Sequence, residues 1–265
     1  LVSGYLLDEV QAGDRIETSG PEGHFHFNPV FHDKEMVCIA GGSGITPIMS
    51  MIREIVEGRL DRQLTLFYGN RNTNDIIFDS ELHYLADRSE NLKYIPVIEK
   101  PANGYTGVTG YITGEVIQNT VGRLENKSFY LCGPQALYDF CTQELEKLDV
   151  PARKIRKEVY GAPLDICDQP GWPREVKPET DFSVRVQKGP EFVCKAGESL
   201  MTALEKQSIN LPALCRSGEC SMCRLKVISG KVFQPLDVKL RKSDRLSGYV
   251  HGCVSYPLSD LEILI

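Results

Sequence analysis

The sequence predicts a multidomain protein of mixed class, an α/β part followed by an α+β part. Strands and helices alternate between about residues 34 and 161, the order that builds a doubly wound parallel sheet with helices on both faces. The composition then breaks. Pro163, Pro170, Pro173 and Pro178 crowd into residues 162–180 with Gly171 and the only tryptophan, Trp172, which reads as a semi-stiff linker. Residues 181–265 follow with short strands, one helix and a loop crowded with cysteines.

Bulk properties bound the class. A chain of 265 residues exceeds one ordinary domain of roughly 100–200 residues. With 42% hydrophobic and 25% charged residues it sits near the globular average, which argues against disorder and fibrous repeats. No apolar run reaches the roughly 18 residues that a membrane span needs. The net charge of −6, from 30 basic and 36 acidic residues, gives no basic footprint for nucleic acid. The charge is unevenly split, with 16 basic against 23 acidic residues in 1–160 and 12 against 9 in 181–265. Either the two parts dock by complementary fields, or the charges spread around both surfaces and cancel. Nine cysteines are odd and sparse for a secreted disulfide scaffold; they fit reduced thiols or thiolate ligands in a cytoplasmic protein. The chain starts at Leu1 with no signal-peptide pattern and is expected to be part of something longer.

Each element has a local cause. In residues 1–33, turn clusters at Ala12-Gly13-Asp14 and Gly20-Pro21-Glu22-Gly23 flank the alternating run Arg15-Ile16-Glu17, so strands and turns are expected. In residues 34–161 a first strand is expected at 35–40. Thr46-Pro47 suits an N-cap and a first helical position. Ile48, Met49, Ile52, Ile55 and Val56 then recur at helical spacing as far as Gly58. Further strands are expected at 63–68, 92–99, 128–132 and 155–160, with helices at 79–88 and 134–148. In residues 181–265, strands at 182–187, 192–195, 224–228 and 261–265 accompany a helix at 199–207.

Cys215, Cys220, Cys223 and Cys253 form C-x4-C-x2-C followed, after 29 intervening residues, by a fourth cysteine. This is the plant-type [2Fe–2S] spacing. Arg216-Ser217-Gly218-Glu219 and Ser221-Met222 supply small residues where a loop must wrap closely, and backbone N–H groups there suit sulfur acceptors. A zinc ribbon needs two C-x2-C pairs, and Cys220 with Cys223 is the only one. A Rieske centre needs two histidines, and His251 stands alone beside Cys253. Cys38, Cys141, Cys167 and Cys194 read as ordinary small buried groups.

Gly41-Gly42-Ser43-Gly44-Ile45-Thr46-Pro47 joins a strand to a helix. Glycines there let a pyrophosphate approach the backbone at a helix N-terminus. The turn is not the dinucleotide fingerprint, since Pro47 stands where its third glycine belongs; a plain connector would look the same. Leu131-Cys132-Gly133-Pro134 is a second strand–helix junction, with Pro134 suited to the first helical position. In a doubly wound sheet both turns lie at the carboxyl ends of strands, where ligands bind. The Cys132 thiol either meets a ligand ring there or simply packs.

These motifs, with Tyr68-Gly69-Asn70-Arg71 and Glu158-Val159-Tyr160-Gly161 in the same order, resemble the ferredoxin–NADP+ reductase superfamily. The likeness is closest to its oxygenase-reductase branch with a C-terminal plant-type ferredoxin, and it covers nearly the whole chain. It implies the C-terminal part of an FAD-binding β-barrel at 1–33, an NAD(P)-binding domain at 34–161, a linker at 162–180 and a β-grasp [2Fe–2S] ferredoxin domain at 181–265. The family's barrel-end motifs align with Val2-Ser3-Gly4, Gly13-Asp14-Arg15-Ile16 and Gly20-Pro21-Glu22-Gly23-His24-Phe25, which assigns the FAD pyrophosphate to Val2 and Ser3. The family's R-x-Y-S flavin motif is absent, and by domain size about 90 residues of the barrel are expected to precede this sequence.

The resemblance also implies an enzyme, an NAD(P)H-dependent reductase. It would pass single electrons through FAD and a [2Fe–2S] cluster to a partner protein such as an oxygenase, a desaturase or a hybrid-cluster protein. The alternative is an electron-wire or redox-sensing subunit without flavin activity of its own. Gly41 to Pro47, Arg71 and Cys132-Gly133-Pro134 would hold the nicotinamide nucleotide, with Thr46 and Cys132 at its ring. Glu158 and Tyr160 would lie by the flavin; a solvated carboxylate and a packed strand-end ring are the plainer readings. By register the 2′-phosphate-binding pair of NADPH enzymes falls at Ile98-Glu99. A glutamate repels phosphate and accepts from a ribose hydroxyl, so NADH is expected over NADPH, with Lys100 and Arg71 nearby opposing that argument.

Overall fold

A computed structural model describes residues 2–18, 23, 25–158, 161–162, 165–236 and 238–265. The chain opens with helix α1 (Val2–Asp8). No strand follows among the described residues up to 34, which corrects the expectation at 15–17. Arg15, Ile16 and Glu17 are all exposed, and a strand with no neighbour to pair its N–H and C=O groups is not stable alone.

The half from residue 35 to residue 158 is a six-stranded parallel sheet. Its strands are β1 (Glu35–Gly41), β2 (Gln63–Asn70), β3 (Leu92–Ile98), β4 (Val108–Thr109), β5 (Lys127–Cys132) and β6 (Ile155–Glu158), in the spatial order 4-3-2-1-5-6. Helices α2 (Ile45–Glu57) and α3 (Asp79–Arg88) cover one face, while α4 (Gly114–Val121) and α5 (Gln135–Lys147) cover the other. The central strands are buried on both sides: β5 has no exposed residue. They therefore read as continuous apolar runs. β4 and α4 escape sequence reading because β4 has two residues and α4 is short and capped by Thr113, whose side chain accepts from the Val116 amide.

Two helix starts differ from expectation. Gly42–Gly44 forms a 3₁₀ turn, so Gly44 is the N-cap of α2, and Thr46 sits inside the first turn with its hydroxyl donating to the Ser43 carbonyl. Pro134 is the N-cap of α5 rather than its first residue.

The C-terminal half is a five-stranded mixed sheet of β7 (Asp181–Val186), β8 (Glu191–Lys195), β9 (Arg224–Ser229), β11 (Tyr249–His251) and β13 (Leu261–Leu264). A two-stranded ribbon of β10 (Val232–Phe233) and β12 (Tyr256–Pro257) flanks it, with helices α6 (Leu200–Lys206) and α7 (Lys242–Leu246). Ser199 caps α6 through the Thr202 amide. Part of 162–180 packs on this half: Trp172 lies edge-on to Phe233 at 5.2 Å and near Tyr256 at 6.4 Å, and Ile166 is buried with them. No helix among the described residues is long and apolar enough to cross a membrane.

Residues 25–33 pack across the foot of the sheet. Arg156 Nε donates to His32 Nε2 at 3.0 Å, while His32 Nδ1 accepts from the Asn28 amide at 2.9 Å and lies 2.7 Å from the Tyr130 hydroxyl. Burial, followed by the charges of Arg156, His26 and Arg62, holds His32 down at about 4. The unfolded chain binds a proton below about 6.5 that the folded chain refuses until about 4. Stability is therefore expected to be full above pH 6.5 and to fall between pH 6.5 and 4, by about 1 kcal/mol once solvent screening is allowed for. Calorimetry from pH 7 to 4 checks this, and His32→Gln should flatten the decline.

Candidate functional site

The order in which strands are added to the parallel sheet reverses between β1 and β5, and this switch point is where such sheets bind ligands. Register puts Ala40, Cys132 and Glu158 in line across the carboxyl edge, with Gly41 beside Gly69. The two turns above that edge touch through backbone alone. A side chain at Gly44 would strike the Cys132 carbonyl and stand 2.7 Å from the Gly133 Cα, while one at Gly133 would lie 3.2 Å from the Gly41 amide. Gly42 takes φ +51° in open space, and its carbonyl accepts from the Tyr68 hydroxyl at 2.8 Å.

A cleft of about 770 Å³ opens beside these turns. Gly41, Gly42 and Pro134 line one end, Arg71 and Glu99 lie on the β2 and β3 side, and Tyr111 and Phe140 form a ring pair at 5.5 Å. Arg71 Nε reaches Glu99 Oε2 at 4.0 Å, a loose pair that leaves the carboxylate available. Thr46 is exposed at the turn, whereas Cys132 is fully buried. Tyr138 was not legible as a site residue. Its hydroxyl accepts from the Gly133 amide at 3.0 Å and donates to the Glu158 carbonyl, tying the β5–α5 turn to β6. Its only sequence signal is its place one turn into the helix after Cys-Gly-Pro. The side chains of Val2 and Ser3, and Tyr160, lie outside the described residues.

The cysteine loop leaves α6 and curls before β9. Arg216, Gly218 and Ser221 all have positive φ, at +52°, +82° and +61°, which turns successive amides inward. The amides of Ser217, Glu219 and Cys220 each donate to Cys215 Sγ at 3.4 Å. Burial works against charge on Cys215, but the Ser217 hydroxyl and these amides outweigh it and bring the thiol down to about 7. The buried Cys253 thiol donates to Cys223, drawing Cys223 toward thiolate; Cys253 itself is pushed up. The sulfurs of Cys215, Cys223 and Cys253 thus lie within electrostatic reach of one another, and Cys220 joins through its amide.

None of the nine cysteines is in a disulfide. No three His, Cys, Asp or Glu side chains among the described residues are grouped for a single metal ion. Four thiols around a loop of inward amides suit a larger sulfur-bridged group, because inorganic sulfide and thiolate are acceptors that need such donors. Arg216 forks onto Glu205 at 3.1 and 2.5 Å, and Lys239 pairs with Glu219 at 2.8 Å, fastening the loop from outside. Burial first, and then the charge of Glu219 beside Cys220, raises the Glu158 carboxyl at the end of β6.

A two-turn nucleotide cleft and a four-cysteine loop in one chain define an electron-transferring oxidoreductase. Residues 38–143 match the oxidoreductase NAD-binding domain and residues 184–258 the 2Fe-2S iron–sulfur cluster binding domain. The chain is 30% identical to a component of 1,2-phenylacetyl-CoA epoxidase from Escherichia coli strain K12, covering 97% of this chain and 74% of the relative. It is 29% identical to NADH oxidoreductase HCR of the same organism, covering 98% and 74%. Among solved structures, phthalate dioxygenase reductase superposes with a TM-score of 0.63 at 26% identity, over 97% of this chain and 72% of that one. The chain belongs to the ferredoxin–NADP+ reductase-like family of oxygenase reductases, with an NAD-binding domain and a [2Fe–2S] ferredoxin domain.

Gly44→Ala is expected to lower stability by about 1–3 kcal/mol, since backbone lies on the far side of the new methyl. Gly42→Ala should cost only its left-handed φ, about 1 kcal/mol. Urea denaturation of the two variants gives the comparison. Cys223→Ser should abolish bound iron while leaving the far-ultraviolet spectrum of both sheets unchanged.

Proposed function

We propose that this chain draws electrons from NADH through FAD into a [2Fe–2S] cluster held by Cys215, Cys220, Cys223 and Cys253, and passes them singly to a partner protein of the oxygenase class. The carrying observation is the pairing, in one chain, of a cleft at the carboxyl edge of the parallel sheet with a loop whose Ser217, Glu219 and Cys220 amides turn onto the Cys215 sulfur. FAD, when bound, takes two electrons together and gives them up one at a time. The protein's own work is placement. The Gly41–Pro47 turn offers backbone N–H groups at a helix start to the pyrophosphate, Gly133 and Pro134 wall the nicotinamide side with Cys132 buried behind them, and Thr46 borders the ring. Val2, Ser3, Glu158 and Tyr160 are assigned to the FAD side by family resemblance.

Glu99 accepts from a ribose hydroxyl and opposes a 2′-phosphate, which favours NADH. Arg71, already drawn to Glu99 at 4.0 Å, is the cation that a phosphate would otherwise recruit.

The partner reading rests on charge. Next to the cysteine loop, Val238 lies against Gly218; Arg241, Lys242 and Arg245 are exposed in the same stretch of chain as the exposed Leu236 and Leu246, and Lys239 pairs with Glu219. Such a strip suits an acidic acceptor surface with an apolar centre.

Adding NADH anaerobically to FAD-loaded protein should reduce the cluster, read as bleaching in the visible and a new paramagnetic signal. An oxidised cluster beside reduced flavin overturns the proposal, and a protein that carries a cluster yet never retains flavin supports an electron-wire subunit instead. Glu99→Ser is expected to lower kcat/KM for NADH about 10–100-fold, the loss of one charged hydrogen bond, and to raise it for NADPH.

A further inference from the structure

His251 has no role in the reading above, yet its environment is specific. It ends β11 opposite Arg224 and is fully buried. A buried imidazole is costly unless a partner is supplied. Its Nε2 has no partner among the described residues, so the ring's one polar anchor is Nδ1, 2.8 Å from the Gly218 carbonyl. A carbonyl only accepts, so Nδ1 carries the hydrogen and the tautomer is set. The backbone is held as well: the buried Ser255 hydroxyl donates to the His251 carbonyl at 2.7 Å.

Gly218 lies midway between Cys215 and Cys220. In a trans peptide the C=O of one residue and the N–H of the next point opposite ways. The Gly218 C=O that accepts from His251 therefore belongs to the same peptide unit as the Glu219 N–H that donates to Cys215 Sγ at 3.4 Å. One rigid amide spans the imidazole and the ligand sulfur, polarised from one end and donating at the other. Only glycine fits at the pivot, with φ +82° and Val254 Cγ2 2.7 Å from where a Cβ would stand.

We infer that His251 is a positioning residue for the cluster: through the Gly218–Glu219 peptide it aims and strengthens the N–H···S bond to Cys215, and so raises the cluster's reduction potential. Hydrogen bonds to ligand sulfur favour the reduced, more electron-rich state. Without the imidazole the peptide loses the partner that fixes its C=O, and the sulfur loses the aim of one of its three amide donors. The inference rests on the [2Fe–2S] reading, but the two fail differently. Protein lacking iron and acid-labile sulfide removes the cluster itself, whereas cluster-loaded protein indifferent to residue 251 removes only this role.

The test uses the full chain with its cluster, as wild type, His251→Leu, His251→Asn and His251→Gln. Asn carries an amide N–H at about the reach of Nδ1; Gln places it one carbon further out; Leu fills space without a donor. Potentiometric titration followed by electron paramagnetic resonance should show a more negative midpoint and altered g-values for His251→Leu, with His251→Asn returned toward wild type. Cluster loss to a chelator should be about 10–100-fold faster in His251→Leu, the usual effect of removing an outer hydrogen-bond partner. If His251→Leu holds no cluster, the other two decide. Asn near the wild-type potential with Gln displaced supports the inference; both unchanged, or both equally displaced, overturns it. A cluster-loaded His251→Leu protein with wild-type potential and spectrum also overturns it.

Discussion

Backbone meeting backbone at the carboxyl edge of the parallel sheet is the constraint on which the nucleotide-binding half depends. The turn after β1 lies directly on the turn after β5, so closely that Gly44 has no room for a Cβ and Gly133 only a tight fit for one. Side chains at those positions would push the turns apart and fill the space a nucleotide backbone would use. The same contact sets the starts of α2 and α5, the helices on opposite faces. Tyr138 extends the contact to β6 by bridging the Gly133 amide and the Glu158 carbonyl. The cleft is therefore a consequence of strand order and glycine placement rather than of any one binding side chain.

The cysteine loop answers a different physical demand. Partly buried sulfur carrying negative charge is unfavourable unless donors surround it, and here the donors are main-chain amides turned inward by three positive-φ residues. Side chains act from outside, as Glu205 and Lys239 clamp Arg216 and Glu219. A loop built this way is stiff, and stiffness in an electron-transfer site limits the rearrangement that accompanies a change of charge. The charge of Glu219 in that loop adds to the burial that raises the Glu158 carboxyl at the end of β6. Trp172, from the connecting segment, packs on Phe233 and Tyr256 of the C-terminal half.

Much of this was legible in the primary structure. Spacing along the chain determined the four-cysteine motif, the glycine turn, Cys132-Gly133-Pro134 and the strand–helix alternation, because covalent spacing and hydrophobic period are local quantities. The helix at Asp79–Arg88 appears where its periodicity placed it. Tertiary structure decided what depends on chain segments far apart: that residues 9–18 find no strand partner, that Arg71 leans on Glu99, and that His251, 33 residues from Gly218, returns to hold its carbonyl. A sequence names which groups can donate and accept. Only the register of distant strands determines which donor meets which acceptor, because each such bond is made by two pieces of chain whose separation no local rule controls.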